Sequence, residues 1–469
     1  MSGLFSIAEL IESTGGRVQN VSAKSVSSIS IDSRALKRGA LFVAIKGDRF
    51  DGHDFVAAAI KNGATLALVS EARVGTLEGL PLLVVPDALA GLGQLAVAAR
   101  ARSGAKVVAI TGSAGKTTAK EMVRSVLERA GETHASIRSY NNHWGVPLML
   151  AGLPSSAQFG VFEIGMNHGG EITPLSNMVR PHIALITNIG SAHIGNFKNM
   201  EGIARAKGEV FSGIEPGGAA IVNADHAYMI LLKELAEKAG VKHFVTYGFA
   251  ESADIVIRNA DFRTGGSDAR VNIGGRDISL VLNVPGEHML ANAVGALCVA
   301  EHLGLTTQDT LAAIAEFSAP VGRGAVYRLG SKTNPLVLID ESYNANPASM
   351  AAALGVFSAQ KPVSGRKILV LADMFELGEK ADVLHARLIP EIEQASPDLL
   401  FAIGEYLPKV ATELAPQVKV GGAADRLSEI EQLIVNSLDY GDLVMVKGSN
   451  GVGLGLLVKA IRSRFAGGG

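Results

Sequence analysis

The chain carries one cysteine in 469 residues. A disulfide within the chain is therefore excluded. Cys298 sits in an apolar stretch and is expected to be a buried core thiol rather than a nucleophile. There is no block of basic or acidic residues, and the formal net charge is −2. That balance argues against a nucleic-acid partner and leaves small molecules. No apolar run reaches the length of a membrane span, so membrane insertion is not expected. Residues 1–16 form a short amphipathic stretch with Glu9 and Glu12, without the basic start and long apolar centre of a signal peptide. A cytoplasmic enzyme is the expectation. No internal repeat or low-complexity segment stands out, apart from a glycine tail at 467–469 that is expected to be disordered.

What the chain does have is a phosphate loop. Val108-Ala109-Ile110 leads into Thr111-Gly112-Ser113-Ala114-Gly115-Lys116-Thr117-Thr118. The pattern predicts an apolar strand, a glycine turn and a helix opening on Gly-Lys-Thr. A helix start exposes unpaired N–H groups and a partial positive charge. Glycines let that backbone approach a phosphate, the lysine adds a point charge, and the threonine hydroxyl can reach Mg²⁺. The common loop has a glycine separated by four residues from the Gly-Lys-[Ser/Thr] triplet. Here that position is Ile110, and the first glycine is Gly112.

Length and pattern predict an α/β chain of about three domains. Block one, residues 1–102, reads as strands at 28–31, 40–45, 65–69 and 81–85 with a helix at 55–62. Block two, 103–319, has strands at 106–111, 159–164, 183–189 and 219–223 between helical stretches. Block three, 320–469, reads as strands at 336–340, 367–371, 399–403 and 443–447, with helices at 348–359, 384–394 and 427–438. Alternating strands and helices imply parallel sheets covered on both faces, with ligands at the carboxyl ends of strands. Asp340, Asp373, Gly404 and Lys447 fall at such ends. Gly451-Val452-Gly453-Leu454-Gly455 lacks dinucleotide spacing and reads as a loop and helix start.

Four segments after the glycine loop carry chemistry. Ser139-Tyr140-Asn141-Asn142-His143-Trp144-Gly145-Val146-Pro147 is polar, with amides that can hold a sugar or peptide; it also reads as a plain loop. Glu163 follows an apolar strand, and a buried carboxylate needs a partner. Mg²⁺ shared with a phosphate is one, and a structural ion pair is equally compatible. His193 ends another strand, where a structural histidine is the commoner case. Lys207 lies among helix formers and on its own reads as a surface charge.

Together the motifs resemble the Mur ligases, ATP-dependent amide ligases that build the peptide stem of peptidoglycan. The resemblance rests on the short glycine loop, Glu163-Ile164-Gly165-Met166-Asn167, Thr187-Asn188-Ile189-Gly190-Ser191-Ala192-His193 and Ala206-Lys207-Gly208-Glu209, which occur in the family's order. Glu287-His288-Met289-Leu290-Ala291-Asn292-Ala293, Gly322-Arg323 and Asp340 continue the series over nearly the full length. Asp340-Glu341-Ser342-Tyr343-Asn344-Ala345-Asn346-Pro347 and Leu371-Ala372-Asp373-Met374-Phe375-Glu376-Leu377-Gly378-Glu379 look like the dipeptide-adding branch. The Asp-Asn-Pro-Arg signature of the diaminopimelate-adding branch is absent. Ala119 stands where a third threonine is common, and Asn450 where a basic residue is expected.

The resemblance implies three domains: an N-terminal UDP-binding domain, a central P-loop ATPase and a Rossmann-like C-terminal domain. It implies ATP, two Mg²⁺ ions and a carbamylated Lys207 as cofactors. Its substrates would be UDP-N-acetylmuramoyl-tripeptide and D-alanyl-D-alanine, joined through an acyl phosphate by a monomer. Catalytic roles fall on Lys116, His193 and Lys207. Nucleotide contacts fall on Gly112 through Thr118, Asn292, Arg323 and Asp340, and metal contacts on Thr117, Glu163, His193 and Lys207. Substrate contacts fall on Ser33, Arg34, Lys46, Gly47, His53, Asn141, Asn142, Asn167, Asn188, Tyr343, Asn344 and Asn346. The rival readings are an amino-acid-adding member of the same family, folylpolyglutamate synthetase, and a P-loop NTPase that makes no covalent product.

Overall fold

The computed structural model describes residues 3–466, apart from Asp48, Arg138 and Thr264. The glycine tail lies outside the described residues. Among those residues the strands form three large sheets and one short antiparallel pair, Phe5–Ser6 with Ser25–Val26.

The first sheet has five strands in the order Arg17–Gln19, Leu82–Val85, Leu66–Ser70, Ala40–Val43, Ser28–Ser30. It is parallel except where Arg17–Gln19 joins antiparallel. The central sheet has nine strands. Lys106–Thr111 lies third from one edge, flanked in parallel by Ile183–Ile186 and Phe159–Glu163. The third sheet has six strands, with Leu336–Glu341, Leu443–Lys447 and Lys367–Ala372 adjacent and parallel.

The pleat explains why Lys106–Thr111 is an almost unbroken apolar run. Successive side chains face opposite sides of a sheet. Val107 and Ala109 pack with Leu92, Leu95, Val146 and Leu150, from the helices Ala88–Arg102 and Gly145–Ala151. Val108 and Ile110 pack with Met122, Val123, Leu290 and Val294, from the helices Lys116–Glu128 and Glu287–His302. A strand buried on both faces carries function at its ends, and its carboxyl end leads into the glycine loop. Cys298 is buried in the second of these clusters, where burial pushes its thiol up.

Three features differ from the sequence reading. The central sheet does not stay parallel: Ile255–Arg263, Gly266–Ile273 and Arg276–Leu282 add an antiparallel meander at its edge. Its second turn is Gly274-Gly275, both at positive φ, the glycine pair a tight hairpin favours. The helix expected at 384–394 is two short helices, Ala381–Ala386 and Ile389–Ala395. Pro390, in the first turn of the second, has no N–H to continue the first. The strand expected to 189 ends at Ile186, because the backbone beyond it turns to the glycine loop. The run beginning Gly451 is a loop followed by the helix Leu454–Arg464, as expected. No helix among the described residues is long and apolar enough to cross a membrane.

Candidate active site between the central and third sheets

Gly112 follows the central strand at φ +150, where a Cβ would collide with the Thr187 hydroxyl. Gly115, at φ +79, opens the helix Lys116–Glu128; a Cβ there would come within 3.0 Å of the Asn292 amide. Both positions need glycine for sterics as well as for backbone angle. The loop is splinted by its neighbour strand's end. Ala114 N–H donates to Asn188 Oδ1 (2.8 Å), Thr187 Oγ1 donates to the Ala114 carbonyl (2.6 Å), and Ser113 Oγ donates to the Gly190 carbonyl (2.8 Å). The loop is thus held open before any ligand arrives, which lowers the ordering cost of binding.

Lys116 arches back and donates to the Gly112 carbonyl at 2.8 Å. Burial pushes its ammonium below the ordinary lysine value; Glu163 pulls it up and Arg323 pushes it down. Glu163 is 1% exposed and fully engaged. Its Oε2 accepts from Thr117 Oγ1 at 2.8 Å and its Oε1 from Asn141 Nδ2 at 2.7 Å. Next to them, Ser139 Oγ accepts from Arg323 Nη2 (2.9 Å) and from the Tyr343 hydroxyl (3.1 Å), both carried by the third sheet's end of the chain. The Arg323 guanidinium also stacks 4.1 Å over the Tyr343 ring.

These groups open on a cavity of about 920 Å³ between the central and third sheets. Ser113 through Thr118, Asn141, Asn142, Glu163, Asn167, Asn188, His193 and Asn292 line it from the central side. Arg323, Tyr343, Asn344 and Asn346 line it from the other, together with Glu376 and Lys447. In the sequence Ser139 and Glu376 carry no role of their own, and Lys447 is marked only as a strand's carboxyl end. Chain proximity could not show that they converge.

Other expected site residues lie elsewhere. Asp340 is fully buried and does not line the cavity. Its oxygens accept from Gly322 N–H (2.9 Å) and from the Ser342 hydroxyl (2.6 Å), so it shapes the turn that presents Arg323. Lys207, at the end of the helix Met200–Gly208, is 1% exposed and also outside the lining. Burial, then Lys116, pushes its ammonium well below the ordinary value. In the first sheet's loops, His53 has both ring nitrogens occupied: Nδ1 lies 2.6 Å from Asp51, and Nε2 accepts from Ser70 N–H at 3.0 Å. These contacts pin its loop. Arg34 and Lys46 are exposed, as is Gly47, while Ser33 is buried with its carbonyl accepting from Asn62.

Thr117 and Glu163 fit a Mg²⁺ ion. They are hard oxygen donors 2.8 Å apart beside the loop, and Mg²⁺ takes few protein ligands when it also binds phosphate. Among the described residues no three His, Cys, Asp or Glu side chains gather into a group that could hold a metal ion.

The chain is 32% identical over 456 residues to the UDP-N-acetylmuramoyl-tripeptide--D-alanyl-D-alanine ligase of Escherichia coli K12, spanning 97% of this chain and 98% of that one. The chain belongs to the Mur ligase family. Three family models match this Mur ligase in succession: the Mur ligase family catalytic domain over residues 25–123, the Mur ligase middle domain over 110–300 and the Mur ligase glutamate ligase domain over 326–450. The Bacillus subtilis ligase of the same name is 30% identical over 456 residues, or 97% of this Mur ligase and 96% of the relative. A crystal structure of MurF from Acinetobacter baumannii superposes with a TM-score of 0.84 at 31% identity, covering 98% of this Mur ligase and 99% of that chain.

Proposed function

We propose that this Mur ligase joins D-alanyl-D-alanine to UDP-N-acetylmuramoyl-tripeptide, using ATP. The observation that carries this reading is the cavity: a phosphate loop with a carboxylate beside it on one wall, and amides and a cationic clamp from the third sheet on the other. The similarity to the named ligases over nearly the full length supports it.

A carboxylate is a poor electrophile, so its oxygen must first become a leaving group. The tripeptide's terminal carboxylate attacks the γ-phosphorus of ATP, the bond to the β,γ-bridging oxygen breaks, and ADP leaves. The amine nitrogen of D-alanyl-D-alanine then attacks the acyl carbon, phosphate departs, and the nitrogen loses a proton. Little covalent chemistry is left to the protein; positioning and charge neutralisation do most of it. Lys116 and the loop N–H groups neutralise the transferring phosphoryl group. Thr117 and Glu163 would hold Mg²⁺, which screens phosphate charge when bound. Arg323, set by Asp340 and stacked on Tyr343, closes over the nucleotide, and Asn292 lies beside the loop for the base. Asn141, Asn142, Asn167, Asn188, Tyr343, Asn344 and Asn346 surround the acceptor and the dipeptide.

His193 and Lys207 would serve a second Mg²⁺ at the acyl acceptor. A lysine cation repels Mg²⁺, whereas a carbamate is a carboxylate-like anion. Lys207 suits that modification: it is buried, has no carboxylate partner among the described residues, and is biased towards the neutral amine that attacks CO₂. Lys207→Ala is expected to be nearly inactive and to regain part of its activity with formate or acetate; full activity in CO₂-depleted buffer would remove this role.

The UDP end is assigned to the first sheet's loops, with Ser33, Arg34, Lys46 and Gly47 around it and His53 fixing their shape. The functional division is 1–102, 103–319 and 320–469. A monomer is the expected state, and use of ATP supports a cytoplasmic location. The test of the overall reading is stoichiometry. One ADP should appear per amide formed, with near silence when the dipeptide is left out; steady ATP hydrolysis without amine would favour a non-ligase NTPase.

A further inference from the structure

His193 Nδ1 is buried and makes no well-aligned hydrogen bond, yet the carboxylate of Glu376 lies 2.9 Å from it. The two residues come from different sheets' loops. Both are non-glycine residues in the left-handed region, His193 at φ +62 and Glu376 at φ +64. Such backbone is uncommon for these residue types and persists only where surroundings impose it. The surroundings are a tight docking of two loops. A Cβ on Gly195 would come 3.3 Å from Gly378 N–H and from the Leu377 carbonyl carbon. The loop that presents Glu376 is anchored to the third sheet's side: Met374 N–H donates to His385 Nε2 at 2.9 Å, and Phe375 N–H donates to Ser449 Oγ at 2.9 Å. Glu376 is therefore carried rigidly, as part of the third unit, to a histidine of the central one.

A ligating histidine usually directs its second ring nitrogen to a carboxylate, which fixes the tautomer and the ring and makes the first nitrogen a better donor. The covering of Nδ1 leaves Nε2 as the nitrogen available to the cavity. We propose that Glu376 is a positioning residue that sets His193 for a divalent cation, so that this cation site is complete only with the third unit docked. The proposal rests on the reading of His193 as a cation ligand. It is not the ligand role itself, and Glu376 touches neither substrate nor reacting atoms. It makes domain docking and metal loading one event: the central unit alone holds an untethered histidine, and only the docked chain holds a fixed one.

The test uses the full chain labelled with ¹⁵N-histidine, with Glu376→Ala removing the acceptor and Glu376→Gln keeping length without charge. Glu376 is largely exposed, so neither change is expected to unfold the protein. His193 signals are assigned with His193→Gln. In the parent chain His193 is expected as the Nδ1–H tautomer, and in Glu376→Ala as a mixture. Mn²⁺ binding is then followed by electron paramagnetic resonance with a non-hydrolysable ATP analogue and the nucleotide-tripeptide. One of two Mn²⁺ sites should weaken by about 10–100-fold in Glu376→Ala and less in Glu376→Gln, the other staying unchanged. An unchanged tautomer and unchanged Mn²⁺ affinities in both variants would overturn the proposal. Loss of no Mn²⁺ site in His193→Gln would overturn it differently, by removing the reading of His193 on which it stands.

Discussion

Thr117 Oγ1 donates to Glu163 Oε2 across 2.8 Å, joining the first turn of the phosphate-loop helix to the end of the neighbouring strand. The pair places a hydroxyl and a carboxylate where a cation beside a phosphate needs them. Glu163→Gln keeps the shape and removes the charge. Amine-dependent ADP release should fall by about 100-fold or more, and added Mg²⁺ should restore little of it. Thr117→Ser retains the hydroxyl and should stay within several-fold of the parent. Initial rates across a Mg²⁺ series check both.

Lys116 separates function from stability. Burial disfavours its charge, so the folded state gives up free energy to keep an ammonium there. Lys116→Met should lower turnover by about 100- to 1,000-fold without lowering the melting temperature. A large loss of melting temperature would mean that the lysine is structural.

Ser139 receives two hydrogen bonds from the third sheet's side, from Arg323 and Tyr343. Each such bond contributes about 0.5–1.5 kcal/mol. Ser139→Ala should raise the KM for ATP several-fold. Tyr343→Phe should have a clear effect in the parent and almost none in the Ser139→Ala background. Additive effects would show that the two hydroxyls act independently.

His182 supplies a pH dependence. Burial, with Arg100 and Lys106 adding to it, pushes its pKa down to about 4. Its Nδ1 accepts from Val107 N–H at 3.0 Å, so the folded chain keeps this nitrogen free of a proton. The unfolded chain takes up that proton below about 6.5. Stability from this site is therefore complete above pH 6.5 and is lost as pH falls towards 4. Melting temperature measured from pH 7.5 to 4.5 should fall less steeply for His182→Gln, whose side-chain oxygen can still accept from Val107.

The sequence exposed those parts of the fold and site that are local. The strand Lys106–Thr111 and the loop after it were legible because apolar run, glycines and Lys-Thr follow one another. Glu163 and His193 were legible as polar residues closing apolar strands. Contacts between residues far apart in the chain were not. Arg323 reaches Ser139 across 184 positions, and nothing in either segment marks the other. Nor does the sequence show that Asp51 and Ser70 occupy the His53 ring, or that Asp340 accepts from Gly322 and Ser342. Pro390 and Gly274-Gly275 are local signals for the break before Ile389 and for the hairpin, which the strand and helix periodicity alone does not show.

The central claim is tested most directly by product mass. The full chain is incubated with UDP-N-acetylmuramoyl-tripeptide, ATP, Mg²⁺ and an equimolar mixture of D-alanyl-D-alanine, meso-diaminopimelate, L-lysine and L-glutamate. The account predicts one product, the nucleotide-tripeptide plus D-alanyl-D-alanine less one water, with one ADP for each. A product carrying any of the single amino acids, or ADP release with no new amide, would contradict it.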